Sequence, residues 1–73
     1  MSERQKLKET ILAIYDKIME TGSDRHMRAA EWHLKRVNLD FSNMSELSTT
    51  ETKLKKLKKD VDDFNEQMKT IYS

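Results

Sequence analysis

Residues 54–71 read LKKLKKDVDDFNEQMKTI. Within them Leu54, Leu57, Val61, Phe64, Met68 and Ile71 follow one another at spacings of 3, 4, 3, 4 and 3. That is a heptad seam, with Leu54, Val61 and Met68 at a and Leu57, Phe64 and Ile71 at d. Nearly every residue between them is Lys, Asp, Glu, Asn or Gln. A helix of this kind must bury one stripe, so the rest of the chain, or another chain, has to cover it.

The helix that carries the seam is expected over residues 48–72. Ser48 followed by Glu51 has the form of a capping box. Before it, Asn38-Leu39-Asp40-Phe41-Ser42-Asn43 is rich in side chains that compete with helical hydrogen bonds. Residues 38–47 are therefore expected as a loop, with Leu39 and Phe41 tucked against the core. A continuous helix from Asp24 to Tyr72 is the alternative, because neither Gly nor Pro interrupts it. The cluster of Asn, Asp and Ser decides against it.

Upstream, Leu7, Ile11, Ile14 and Ile18 form a second seam, with Leu12, Tyr15 and Met19 as a stripe beside it. An apolar arc this wide suits contact with two neighbours. The first helix is expected over residues 2–21 and ends at Gly22, read as a glycine in the left-handed conformation. Ser23 is a natural N-cap for a second helix over residues 24–37, with Met27, Ala30, Leu34 and Val37 on its inner face. The fold class that follows is all-α. It is a small three-helix bundle or helical hairpin with a long, coiled-coil-like C-terminal helix, in one domain.

Composition bounds the rest. The 73 residues hold no Cys, no Pro and one Gly, and 14 Lys+Arg against 13 Asp+Glu. So small a core gains from association when it has neither disulfide nor thiolate metal site. A homodimer, another homo-oligomer or a helical protein partner is expected, with residues Leu54, Leu57, Val61, Phe64, Met68 and Ile71 as the oligomer seam. The ends of that seam, Leu54 and Leu57 or Met68 and Ile71, are the most sensitive places. Near-neutral charge gives no general pull toward nucleic acid or membrane. No apolar run approaches the roughly 18 residues of a membrane span, and the first residues lack the apolar core of a signal peptide. A cytoplasmic location is the expectation.

No catalytic, cofactor-binding or metal-ligating set stands out, and the chain is not expected to be an enzyme. There is no phosphate-binding Gly-rich loop, no Cys nucleophile and no HExxH. Asp62 and Asp63 are consecutive and point apart on a helix. His26 and His33 are too far apart to share one ion and read as two partly exposed histidines.

Trp32 is the more informative residue. At about 100° per residue it lies about 140° from Met27 and about 160° from Leu34, away from the core stripe. Arg28 and Arg36 stand one turn before and after it, within reach of the indole. Arg25, Arg28, Trp32, His33 and Arg36 form the candidate partner-binding face, since Trp and Arg dominate interaction hot spots. The expected function is a non-enzymatic protein–protein interaction module: an adaptor, a co-chaperone or an assembly subunit. The alternative is a small nucleic-acid-binding regulator using the same face. The lysines at 53, 55, 56, 58 and 59 read as scattered solubilising charge. With Asp60, Asp62, Asp63 and Glu66 after them, two such helices laid antiparallel would set basic half beside acidic half.

Overall fold

The computed structural model describes residues 2–72. Three helices, α1 (Glu3–Thr21), α2 (Asp24–Lys35) and α3 (Met44–Tyr72), make an all-α bundle, and the described residues contain no strand.

Helix α1 starts where the Ser2 side chain accepts a hydrogen bond from the Gln5 amide at 3.1 Å. That satisfies one of the four amides a helix start leaves unpaired. The helix ends at Gly22, whose N–H donates to the Ile18 carbonyl at 2.7 Å. Gly22 has φ −83° and ψ 163°. The left-handed conformation expected of it is not used, and the backbone there is ordinary extended chain. Space explains the glycine instead. A Cβ at this position would sit 2.6 Å from the Ile18 carbonyl oxygen, 2.9 Å from His26 Cβ and 3.3 Å from Val61 Cγ2. Three elements meet at this corner with no room for a side chain.

The tight corner sends α2 back antiparallel to α1, and the second connection brings α3 up parallel to α1. Two side-chain bonds mark the alignment. At one end Lys8 Nζ donates to Asp40 Oδ1 at 2.7 Å, which holds the Asp40 carboxyl below the usual carboxylate range. At the other end Asn65 Nδ2 donates to the Thr21 carbonyl at 3.1 Å. At nearly this offset Ile11 stands level with Leu54 and Ile18 with Val61. All four are fully buried, together with Ala30 and Leu47. Leu7, Ile14, Tyr15, Leu34, Val37, Leu39 and Leu57 pack against that cluster. Of the wide apolar arc on α1, the Leu7–Ile18 seam faces α3, and Tyr15 faces α2 across a groove shared with Glu31, Leu34 and Lys35.

The connection between α2 and α3 is shorter than the expected loop. Asn38 Oδ1 accepts from the amides of Asp40 (2.9 Å) and Phe41 (3.1 Å), and Ser42 Oγ accepts from the Asn38 amide (2.8 Å). These bonds satisfy the chain as it turns. Helix α3 then starts at Met44, four residues before the expected Ser48. The cap is Asn43, whose Oδ1 accepts from the Glu46 amide at 2.8 Å while Glu46 Oε1 lies 3.5 Å from Asn43 Nδ2. The Ser/Thr run does not break the helix because its hydroxyls turn inward. Thr49, Thr50 and Thr52 donate to the carbonyls of Ser45, Glu46 and Ser48 at 2.9–3.1 Å. The expected capping box at Ser48–Glu51 is therefore interior helix. Phe41, expected against the core, is 85% exposed, and only Leu39 of that pair packs inward.

One stability prediction follows from the cap. Asn43→Ala should cost about 1 kcal/mol, the usual worth of such a cap, and Ser48→Ala clearly less. Urea unfolding of both variants checks this, and a larger loss for Ser48→Ala would move the helix start back to residue 48.

The 29 residues of α3 span about 43 Å at 1.5 Å rise, close to the 45 Å long axis of the molecule. Helix α1 ends level with Asn65, and α2 begins beside Phe64. Residues 66–72 thus run about 10 Å past the helices that cover the rest. No helix among the described residues is long and apolar enough to cross a membrane.

Candidate interaction surface

Helix α2 presents one flank to α1, one to α3 and a third to solvent. The antiparallel alignment fixes which is which. His26, in the first turn of α2, meets Phe64, and His33, two turns on, meets Lys53, Lys56, Leu57 and Asp60 in a shallow groove.

The two histidines, similar in sequence, differ completely. His26 is 2% exposed, not partly exposed as its sequence context suggests. Its Nδ1 accepts from the Ser23 amide at 3.3 Å and lies 2.9 Å from Ser23 Oγ. Its ring stands edge-on to Phe64 at 5.8 Å, and its Nε2 is buried without a partner. It occupies the capping-box place usually held by Glu or Gln, and so closes the α1–α2 corner. His33 is half-buried in the groove. Its pKa is pushed down by desolvation, then by the Lys53 ammonium and the Arg36 guanidinium nearby. At neutral pH its imidazole is uncharged.

Trp32 is 53% exposed. Arg36 Cζ lies 4.5 Å from the indole centroid, and the His33 ring meets the indole edge-on at 5.3 Å. The outward direction read from the sequence is the one observed. Of the two arginines expected to reach the indole, Arg36 does, while Arg28 is exposed and not over the ring. Arg25 is exposed as well. The structure brings Trp32, His33 and Arg36 together with Lys53 and Lys56 of α3. Those lysines were not separable in sequence from their neighbours. The available signal was that Lys53 lies one turn before Leu57, which packs inward, with Lys56 one turn after Lys53.

The seam of α3 divides in two. Leu54 and Val61 are fully buried inside this chain, and Leu57 packs on the core. Phe64 is 39% exposed, Met68 is half-buried and Ile71 is 69% exposed. The stripe continues past the end of its own cover.

Chemically the surface offers stacking, cation–π contact, anion attraction and apolar area. Among the described residues no three His, Asp or Glu side chains come together as metal ligands would. The class defined by fold and surface is a small three-helix bundle with one uncovered helix end. Comparison with protein-family models, with curated proteins and with solved structures finds no significant match to the chain.

Proposed function

We propose that this chain is a non-enzymatic helical interaction module, working as an adaptor, a co-chaperone or an assembly subunit through helix packing. The observation that carries the reading is the end of α3, where the apolar seam is part-exposed at Phe64 and runs on through Met68 and Ile71 beyond the chain's own helices. A large apolar side chain gains roughly 1.5–3 kcal/mol when taken from water. Phe64 and Ile71 together leave a free-energy gain of a few kcal/mol open to any helix that docks there. Trp32 with its stacked Arg36 supplies the type of residue that dominates binding energy in interfaces.

Sedimentation equilibrium from about 1 µM to 1 mM tests this, a range that brackets weak specific association. The wild-type chain is expected to associate. Trp32→Ala and Ile71→Asp should each weaken association about tenfold or more, with helix content by circular dichroism unchanged. Loss of helix without change in association would make Trp32 part of the fold instead.

The second reading, a nucleic-acid-binding regulator, draws on an exposed indole stacked by Arg36, with Lys53 and Lys56 in the neighbouring His33 groove. A monomer over the whole range that binds RNA or duplex DNA with steep salt dependence would favour it.

A further inference from the structure

We infer that the surface takes a second copy of the same chain, with the two α3 helices antiparallel and meeting along their α2-side edge. The inference rests on the interaction-module reading above and names its partner.

The two flanks of α3 carry charge differently. On the flank toward α1 and the neighbouring solvent face, four charges are paired within the helix, Glu51 with Lys55 at 3.6 Å and Lys58 with Asp62 at 2.6 Å, while Lys59, Glu66 and Lys69 are not paired among the described residues. On the flank toward α2, Lys53, Lys56, Asp60 and Asp63 are all exposed, and among the described residues none of them has an ion-pair partner. Lys53, Lys56 and Asp60 line the His33 groove, and Asp63 lies one turn beyond Asp60 on the same side. Their spacings are 3, 4 and 3. That pattern is antisymmetric about Lys58. A two-fold axis crossing α3 at that level exchanges Lys53 with Asp63 and Lys56 with Asp60. Two copies related by it would each set two lysines against two carboxylates. A parallel pair would set Lys against Lys and Asp against Asp, so the pattern selects the antiparallel arrangement, which is also the one a two-fold axis across the helix produces.

The same axis sets the exposed apolar residues of one copy beside the Ser/Thr-rich first half of the other's α3. Phe64 of one copy comes level with Thr52 of the other, next to Lys53 and the His33 groove. Ile71 of one copy, 69% exposed, comes level with Ser45 of the other. The edge from Lys53 to Ile71 is roughly 27 Å long. With α2 alongside as far as Phe64 it is about 20 Å wide, and about 10 Å wide beyond. The area is on the order of 400–450 Å² per copy, below the usual size of specific interfaces, so a weak dimer is expected.

Charge reversal with rescue is the test. The Lys53→Glu/Lys56→Glu chain and the Asp60→Lys/Asp63→Lys chain should each lose self-association by roughly tenfold or more. Mixed in equal amounts, they should restore a 1:1 dimer, and raising salt from about 0.05 to 0.5 M should weaken the wild-type dimer. All four side chains are exposed, and circular dichroism of each variant confirms the helix. If a variant loses helix, the neutral pair Lys53→Gln/Lys56→Gln gives the same reading with a smaller loss. Association unchanged in both reversed variants, or no recovery on mixing, overturns the inference. Association that still depends on Trp32 and Ile71 then leaves the broader reading standing. A wild-type chain that stays monomeric to about 1 mM overturns the inference and leaves the module to bind something other than itself.

Discussion

Leu54→Ala is expected to remove a third or more of the stability of this chain. Leu54 is fully buried at the middle of α3, in a cluster with Ile11, Ile18, Ala30, Leu47 and Val61. Truncating a core leucine costs about 2–5 kcal/mol, the spread reflecting how far the surroundings collapse into the cavity. A chain of this length has about 4–11 kcal/mol in total. The cluster has few layers, and the helices around it are tied by the Lys8–Asp40 and Asn65–Thr21 bonds, so collapse is limited and the upper part of the range applies. Ile71→Ala, on the same seam but 69% exposed, should cost about 0.5 kcal/mol or less in the dilute protein. Urea unfolding below the association range separates the two. Equal losses would mean that α3 packs by another face. A Leu54→Ala loss that grows with protein concentration would mean that Leu54 is covered by a second chain.

The contrast between Leu54 and Ile71 shows what heptad spacing reveals and what it hides. Periodicity reports which side of a helix is apolar, and on that count α1 and α3 were legible. It does not report where covering helices end in space. That depends on how far α1 and α2 reach, which follows from the corner at Gly22 and the cap at Asn43. The position of the Gly22 corner is legible but its extended backbone is not, since the space around it is set by Ile18, His26 and Val61; the cap at Asn43 is hidden by a stronger local pattern downstream. Ser48–Glu51 has the form of a cap, but the threonine hydroxyls after Asn43 find carbonyls inside the helix, so nothing forces a start at Ser48. Asn38–Ser42 is legible as a turn because its Asn, Asp and Ser side chains compete with helical hydrogen bonds, as Asn38 does by accepting from the amides of Asp40 and Phe41.

The interaction surface was half legible. The outward direction of Trp32 follows from its angle to Met27 and Leu34, and needs no knowledge of α3. The difference between His26 and His33 could not be read in this way. Both lie near the core stripe of α2, and only the packing of Phe64 over one and of Lys53 beside the other separates them. The antisymmetric edge of α3 was hidden for a related reason. Ten charged residues between Glu51 and Glu66 surround the helix. Which of them share an edge with the groove depends on the side from which α2 approaches. The expected antiparallel match of basic and acidic halves was visible, but not the four residues that would carry it. Nor do all the possible pairs along the helix form. Lys58 bonds Asp62, while Lys56–Asp60 and Lys59–Asp63 remain open, as expected where exposed pairs gain little over hydration.

Gly22→Ala should destabilise the chain, although the backbone would accept it. At φ −83° alanine is unstrained, and replacing glycine normally adds about 0.4–1 kcal/mol of stability by restricting the unfolded chain. Sterics oppose that gain. The new methyl would lie 2.6 Å from the Ile18 carbonyl oxygen, which cannot withdraw without losing its bond from the Gly22 amide. On the other side His26 Cβ is 2.9 Å away, and the His26 ring is held by Ser23 and packed on Phe64. Relief therefore requires α2 to move away from Val61 as a body, opening the core at this end. Such overpacking costs about 1–3 kcal/mol, so the net change is a loss. At about 4–8 °C per kcal/mol for a chain of this size, the melting temperature should fall by several degrees or more. Gly22→Asn distinguishes this account from the usual one for a glycine at a helix end. Asparagine tolerates the left-handed conformation, and would be nearly neutral if that were the requirement. Here it carries the same Cβ into the same carbonyl, so its loss should match or exceed that of alanine. A melting temperature at or above the wild-type value for either variant would show that the corner has room, and that the close approach of Ile18, His26 and Val61 does not set the α1–α2 angle.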